Sequence, residues 1–112
     1  GIYKIITHQE APENFCRPSV NPLLRSIINA YKGSAICFML TGMGSDGLQG
    51  AQEFVDKGGA VIAQDQESST VWGMPKSVYQ AGLTCGLAPL DQIRDLLIRI
   101  ACARNPRLEV HL

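Results

Sequence analysis

AICFMLTGMGSDG, residues 35–47, joins an uncharged apolar run to a glycine-spaced turn that contains one acid, Asp46. The apolar run predicts a strand buried in a parallel sheet, because strands covered on both faces lack the polar alternation of half-exposed strands. Gly42, Gly44 and Gly47 permit the sharp turn that follows it. Open parallel sheets place their sites at the carboxyl ends of their strands. Asp46 is therefore either a working carboxylate or a turn former.

Helix and strand patterns alternate outward from this segment. Ser19 is a plausible N-cap for a helix that Gly33 ends, and Pro75 opens a short helix to Ala81. The other predicted helices cover 48–57 and 90–104, and the other predicted strands cover 3–7, 60–63 and 83–87. This alternation predicts an α/β fold in three layers, a mostly parallel sheet with helices on both faces. Right-handed crossovers would bring 16–19, 42–47 and 64–69 together at one edge.

The composition narrows the functional class. The 112 residues suit one domain, and ten basic and ten acidic side chains cancel, so we expect no recruitment of nucleic acid. No apolar run approaches the ~18 residues that a membrane span needs, so we expect no membrane insertion. The four cysteines form no Cys-x-x-Cys pair, and little suggests a secreted disulfide scaffold, which favours a reducing, cytoplasmic setting. No metal-ligand spacing occurs, and we predict neither metal nor cofactor. A chain that begins at Gly1, immediately before a strand-like segment, looks like a piece of a longer protein.

Two alternatives to a catalytic Asp46 follow from the turn itself. Residues 42–47 match the G-x-G-x-x-G spacing of dinucleotide-binding folds, with Asp65 and Glu67 about where a ribose-binding acid is expected. Against this, Asp46 would stand where the pyrophosphate rests, and a like charge at about 4 Å costs roughly 1–4 kcal/mol. The other alternative is a non-catalytic α/β interaction domain in which Asp46 only caps a helix.

Further motifs around the turn share a known order and spacing. They are Arg17-Pro18-Ser19-Val20-Asn21, Thr41-Gly42-Met43-Gly44-Ser45-Asp46-Gly47, Ala63-Gln64-Asp65-Gln66-Glu67-Ser68-Ser69, Val71-Trp72-Gly73-Met74-Pro75-Lys76 and Ala81-Gly82-Leu83. The set resembles the chemotaxis receptor methylesterase family, the CheB-like protein-glutamate methylesterases. The resemblance covers about residues 15–100, most of the chain.

The resemblance implies a serine hydrolase of bacterial chemotaxis that removes methyl esters from glutamates of methyl-accepting chemotaxis receptors and, in some members, deamidates glutamines. It places the catalytic acid on Asp46, which would orient a histidine and stabilise its imidazolium. It places part of the oxyanion hole on the amide of Met43. The partners it implies are the chemoreceptors and a phosphorylatable receiver domain of the parent protein.

The family's nucleophilic serine and histidine base would lie before Arg17, and this chain has no glycine-rich serine turn there. His8 and His111 are the only histidines, and neither belongs to a matching motif. We therefore expect residues 1–112 to be the C-terminal part of a catalytic domain that is inactive by itself. An uncovered sheet edge should also make such a piece self-associate.

Overall fold

The computed structural model describes residues 2–104. Four helices and three strands alternate along this part of the chain. In order they are α1 (Val20–Tyr31), β1 (Ile36–Met39), α2 (Leu48–Asp56), β2 (Ala60–Gln64), α3 (Met74–Gln80), β3 (Thr84–Ala88) and α4 (Leu90–Arg104). The predicted α/β class is confirmed, and every predicted helix is present with bounds within two residues of the expected ones.

The three strands form one parallel sheet in the order β1-β2-β3. Ile36 pairs with Ala60 at the start of β1, and Gln64 pairs with Ala88 at the end of β2. Both strand pairs are therefore joined by helical crossovers, α2 and α3, which contact each other and contribute to the same core cluster. The C-terminal ends of the strands share one edge, as expected from the alternating pattern.

The main hydrophobic cluster lies where α1, α2 and α3 meet the sheet. Its buried members are Leu24, Met39, Ala51, Phe54, Val61, Ala63, Val78 and Leu83. Helices α1 and α2 pack closely, because Gly50 offers no side chain and its Cα faces Asn21 directly. Ile93 of α4 is also buried but lies outside this cluster. These contacts fix the starts of α1 and α2 side by side.

Two expectations were wrong. Residues 3–7 form no strand; instead Tyr3 donates a hydrogen bond to the carbonyl of Ala30 and its ring lies 4.5 Å from that of Tyr31. With no strand beside it, this apolar segment stays open, and Ile5 is 98% exposed. The second concerns β1, which is not fully buried: it lies at an edge of the sheet, and only Met39 of its four residues is buried. The central strand β2 is the buried one.

No helix within residues 2–104 combines the length and the apolar character that a membrane crossing requires.

Candidate functional site

The glycine turn joins the end of β1 to the start of α2 and is packed from two sides. A side chain at Gly47 would meet Val20 at 2.9 Å and Met39 at 3.0 Å, and the backbone there has φ +92°, which favours glycine. A side chain at Gly42 would meet the sulfur of Met74 at 2.5 Å. The turn is therefore wedged between α1 and α3, and both the backbone angle and the space at Gly47 favour glycine there.

Asp46 projects from this turn to the beginning of α1. The hydroxyl of Ser19 donates to its Oδ1 at 2.7 Å, and the amide of Val20 donates to its Oδ2 at 2.8 Å. The residue is half-buried. A carboxylate has about four acceptor positions, so two donors leave capacity for a further N–H. Asp46 is thus fixed at the edge of the sheet without being sealed beneath packed neighbours.

The capping pattern differs from the one expected. Ser19 occupies the N-cap position of α1, but its side chain makes no capping bond; Asp46 caps that helix from 26 residues away. Asp46 makes no capping bond to the helix it precedes, α2, whose N-cap is Gly47. Instead Asn21 of α1 accepts a 2.8 Å hydrogen bond from the amide of Gly50 in α2. The start of α1 is therefore satisfied by a side chain of the turn before α2, and the start of α2 by a side chain of α1.

A second set of hydrogen bonds fixes the other end of the turn. The amide of Thr41 donates to Oε1 of Gln64 at 2.8 Å, and the Nε2 of Gln64 donates to the carbonyl of Ser68 at 2.8 Å. Gln64 is only 1% exposed. The hydroxyl of Thr41 both donates to the carbonyl of Val71 and accepts from its amide. The loops after β1 and β2 are thereby tied together, as the shared strand edge predicts.

Residues 71–74 run alongside the turn and approach its backbone closely. The carbonyl of Gly42 accepts from the amides of Gly73 and Met74, and the amide of Gly42 donates to the carbonyl of Val71. A side chain at Gly73 would lie 2.7 Å from the oxygen of Gly42 and 2.8 Å from the nitrogen of Gly44. The side chain of Trp72 contacts other elements: its indole N–H donates to the carbonyl of Gln64, and its ring lies 6.1 Å from that of Tyr79.

Met43, the other predicted site residue, lies at the exposed crest of the turn. Its side chain is 83% exposed. Within residues 2–104 its amide makes no backbone hydrogen bond, in contrast to that of Gly42. A fixed turn with a free amide is the arrangement that an oxyanion donor needs.

The other residues singled out from the sequence lie apart from this arrangement. His8 accepts a weak 3.4 Å hydrogen bond from the amide of Glu10 and borders a cavity of about 710 Å³ between the N-terminal segment and α1, whose lining also includes Ser19. It makes no hydrogen bond to Asp46. His111 lies outside the described residues. Residues 2–104 hold no cluster of three or more potential metal ligands.

The groups that would bind a dinucleotide already have hydrogen-bond partners within the protein. Two amides of the first turn of α2 have partners: Leu48 donates to the carbonyl of Ser45, and Gly50 donates to Asn21. Asp65, the proposed ribose-binding acid, accepts from the amide and hydroxyl of Ser68 in its own turn. A pyrophosphate would meet neither a free helix start nor a neutral turn.

Comparison with known proteins assigns the family. The model of the family described as CheB methylesterase matches residues 3–97, most of the chain. The chain belongs to the CheB methylesterase family. The resemblance recognised in the motifs is thus confirmed, and with it the parallel α/β architecture.

Named relatives and a solved structure agree with the assignment. The chain is 47% identical over 105 residues to "Protein-glutamate methylesterase/protein-glutamine glutaminase 1" of Paramagnetospirillum magneticum, covering 93% of this chain and 28% of that protein. It is 49% identical over 102 residues to a protein of the same kind from Azospirillum brasilense, covering 90% and 26%. The crystal structure of the Thermotoga maritima CheB methylesterase catalytic domain matches with a TM-score of 0.77 at 40% identity, covering 81% of this chain and 48% of that one.

This chain therefore spans about a quarter of the length of those relatives and about half of the matched catalytic domain. Sequence reasoning named Asp46 and Met43 but missed the side chains that fix their turn. It gave Ser19 only a local capping role and gave Gln64 none. Both lie inside the quoted motifs, at Arg17-Pro18-Ser19 and Ala63-Gln64-Asp65, which was the available signal.

Proposed function

We propose that residues 1–112 are the C-terminal part of a protein-glutamate methylesterase catalytic domain and supply its catalytic acid, Asp46. The observation that carries the proposal is the setting of that carboxylate. It is half-buried at the C-terminal edge of a parallel sheet, with each oxygen accepting one hydrogen bond and capacity left for another. The family match across residues 3–97 supports it.

The role of Asp46 is to accept the Nδ1–H of a histidine base and to stabilise the imidazolium that forms when a serine attacks the ester carbonyl. Methanol then leaves with the proton returned by the imidazolium, and water hydrolyses the resulting acyl-enzyme by the same base. We assign neither serine nor histidine to these residues. The nucleophile and the base come from the half of the catalytic domain that this chain does not span.

The amide of Met43 donates to the oxyanion of the tetrahedral intermediate. Its position is fixed because the carbonyl of Gly42 and the amide of Thr41 are both bound to neighbouring loops. Preorganised amides of this kind contribute about 2.7–4 kcal/mol of barrier reduction. Met43 and Asp46 belong to one six-residue turn, so one segment supplies both electrostatic elements of the reaction.

The substrates belonging to this proposal are glutamate methyl esters of methyl-accepting chemotaxis receptors, with glutamine deamidation as a second activity. The names of the two relatives combine methylesterase with glutaminase, which supports both reactions. A receiver domain in the parent protein and a cytoplasmic location belong to the same proposal.

The test uses the complete gene product that contains these residues, with methanol release from a methylated chemoreceptor as the readout. Asp46→Asn is the informative variant, because its amide oxygen still accepts from Val20 and the hydroxyl of Ser19 rotates to accept from the new NH₂. The fold is kept, while the tautomer of the base is disturbed. We expect kcat to fall by as much as about 10⁴.

Asp56→Asn is the matched control, since Asp56 is exposed at the far end of α2, where its carboxylate accepts a hydrogen bond from Gln52. It should retain full activity, and the 112-residue chain alone should have none. Methanol release by Asp46→Asn at the wild-type rate, or by residues 1–112 alone, would contradict the proposal.

A further inference from the structure

We propose that Ser19 is a positioning residue for Asp46, and that its hydroxyl sets the plane of the carboxylate that receives the histidine. The inference rests on the catalytic role proposed for Asp46 and adds a residue from a different segment. Ser19 lies 27 residues before Asp46 and reaches it only through the packing of α1 against α2.

The two hydrogen bonds on Asp46 act on different oxygens. Ser19 binds Oδ1 at 2.7 Å and Val20 binds Oδ2 at 2.8 Å. Rotation about the Cβ–Cγ bond of an aspartate is soft, and a single donor leaves the carboxylate free to swing around it. Two donors, one on each oxygen, fix the plane. The remaining lone pairs then keep one direction, as hydrogen bonding to an incoming imidazole requires.

The two donors come from adjacent residues that the scaffold itself holds in place. Val20 is the first residue of α1, and its side chain packs on Gly47, directly after Asp46. Ser19 has extended backbone angles, φ −126° and ψ 149°, and its side chain makes no capping bond to its own helix. A serine at the N-cap position ordinarily accepts a hydrogen bond from an amide two or three residues later. Here the hydroxyl of Ser19 donates to Asp46 instead.

Only proline would remove the amide N–H of Val20, and it would also replace the side chain that packs on Gly47, so Ser19 is the element that can be varied alone. Loss of its hydroxyl leaves Asp46 present and still bound at Oδ2, with its plane released. We expect kcat to fall by about tenfold, the size of one lost hydrogen bond in the transition state. KM should change little, because the orientation of Asp46 acts on the transition state through the histidine.

The test measures kcat and KM for methanol release by the complete gene product carrying Ser19→Ala, Ser19→Cys or Ser19→Thr. Threonine keeps the hydroxyl and should restore kcat, whereas cysteine keeps the shape with a weaker donor and should fall between threonine and alanine. Ser26→Ala is the control: it removes a hydroxyl of α1 that donates to the carbonyl of Leu23, in its own helix. It should leave kcat unchanged.

A double-mutant cycle separates positioning from support of the fold. If Ser19 acts through Asp46, then Ser19→Ala should cost about tenfold in the wild-type background and little in the Asp46→Asn background. Equal losses in the two backgrounds, or a wild-type kcat for Ser19→Ala, would overturn the inference while leaving the proposed function standing. An Asp46→Asn variant with full activity would overturn both.

Discussion

The Oδ1 of Asn21, in the first turn of α1, lies 2.8 Å from the amide nitrogen of Gly50, in the first turn of α2. The reverse bond runs from the amide of Val20 to Asp46. Asn21 of α1 thus caps α2, and Asp46, the proposed catalytic acid in the turn that leads into α2, caps α1. Stability of the helix pair and orientation of Asp46 therefore depend on the same few contacts.

Asn21→Ala should destabilise the protein by about 1–3 kcal/mol. Asn21 is fully buried, so truncation leaves the amide of Gly50 without its acceptor in a place that water does not reach. Urea unfolding measures the loss. Asn29→Ala, an exposed position on the same helix, should stay within about 0.5 kcal/mol of wild type. Equal stability of the two variants would show that the cross-cap contributes nothing.

Gln64→Ala should cost about 2–3 kcal/mol, because it leaves a void in the core and removes the acceptor of the Thr41 amide. Thermal or urea unfolding measures this loss. In the complete gene product, kcat should fall as well, since the turn that carries Met43 loses the hydrogen bond from the Thr41 amide to Gln64. Gln66→Ala, two residues further on at an exposed position, is the comparison and should be neutral.

Gly73→Ala should displace the glycine turn. The φ of Gly73 is −105°, which alanine adopts readily, so any effect comes from contact with the backbone of Gly42 and Gly44. Overpacking of this kind costs about 1–3 kcal/mol. Gly86→Ala in β3 is the paired control, because an added Cβ there meets nothing within 4 Å. A Gly73→Ala variant as stable as Gly86→Ala would be the contrary result.

The thiol of Cys37 should resist alkylation at pH 8. Burial raises the pKa of Cys37 to about 11, so the reactive thiolate is scarce until the pH approaches that value. Iodoacetamide followed by mass spectrometry should label the exposed Cys85 first. Rapid labelling of Cys37 in the folded protein at pH 8 would contradict this assignment.

Because the pKa of Cys37 is raised in the folded state, the free energy of unfolding should depend on pH in the alkaline range. The folded state favours the neutral thiol. The contribution of Cys37 to the free energy of unfolding is therefore complete below the unfolded pKa of 9.0 and is lost as the pH rises toward about 11. Cys37→Ala removes this component. The difference in unfolding free energy between wild type and variant should therefore shrink between pH 9 and pH 11.

Self-association of residues 1–112 stays a prediction. Strand β1 lies at one edge of the sheet, and Ile36 on it is 45% exposed. Light scattering at increasing concentration should show a rising mass, and Ile36→Lys should reduce it, since a charge on an edge strand opposes pairing. Leu97→Lys is matched in exposure, at 45%, but lies on α4 and should have no such effect. A wild-type chain of constant monomer mass would contradict the prediction.

The spacing of apolar and turn-forming residues predicted the helices and strands well wherever an element depends mainly on its own sequence. It failed at residues 3–7, because a strand needs a partner and apolar composition does not supply one. It also overstated the burial of β1, because the residues of a strand do not show whether that strand lies at the centre or at the edge of the sheet. The Asp46 turn was recognisable from glycine spacing, but the direction of its side chain was not.

The sequence by itself determined the alternation of helices and strands, the glycine turn with its acid, and the family. These depend on residue type and short spacing, which the chain carries without folding. Only the tertiary structure decided that Asp46 caps α1 instead of α2, that Asn21 returns the bond, and that Gln64 ties two loops together. Each of those contacts joins residues more than twenty positions apart, and only the packing of helices on the sheet brings them within hydrogen-bonding distance.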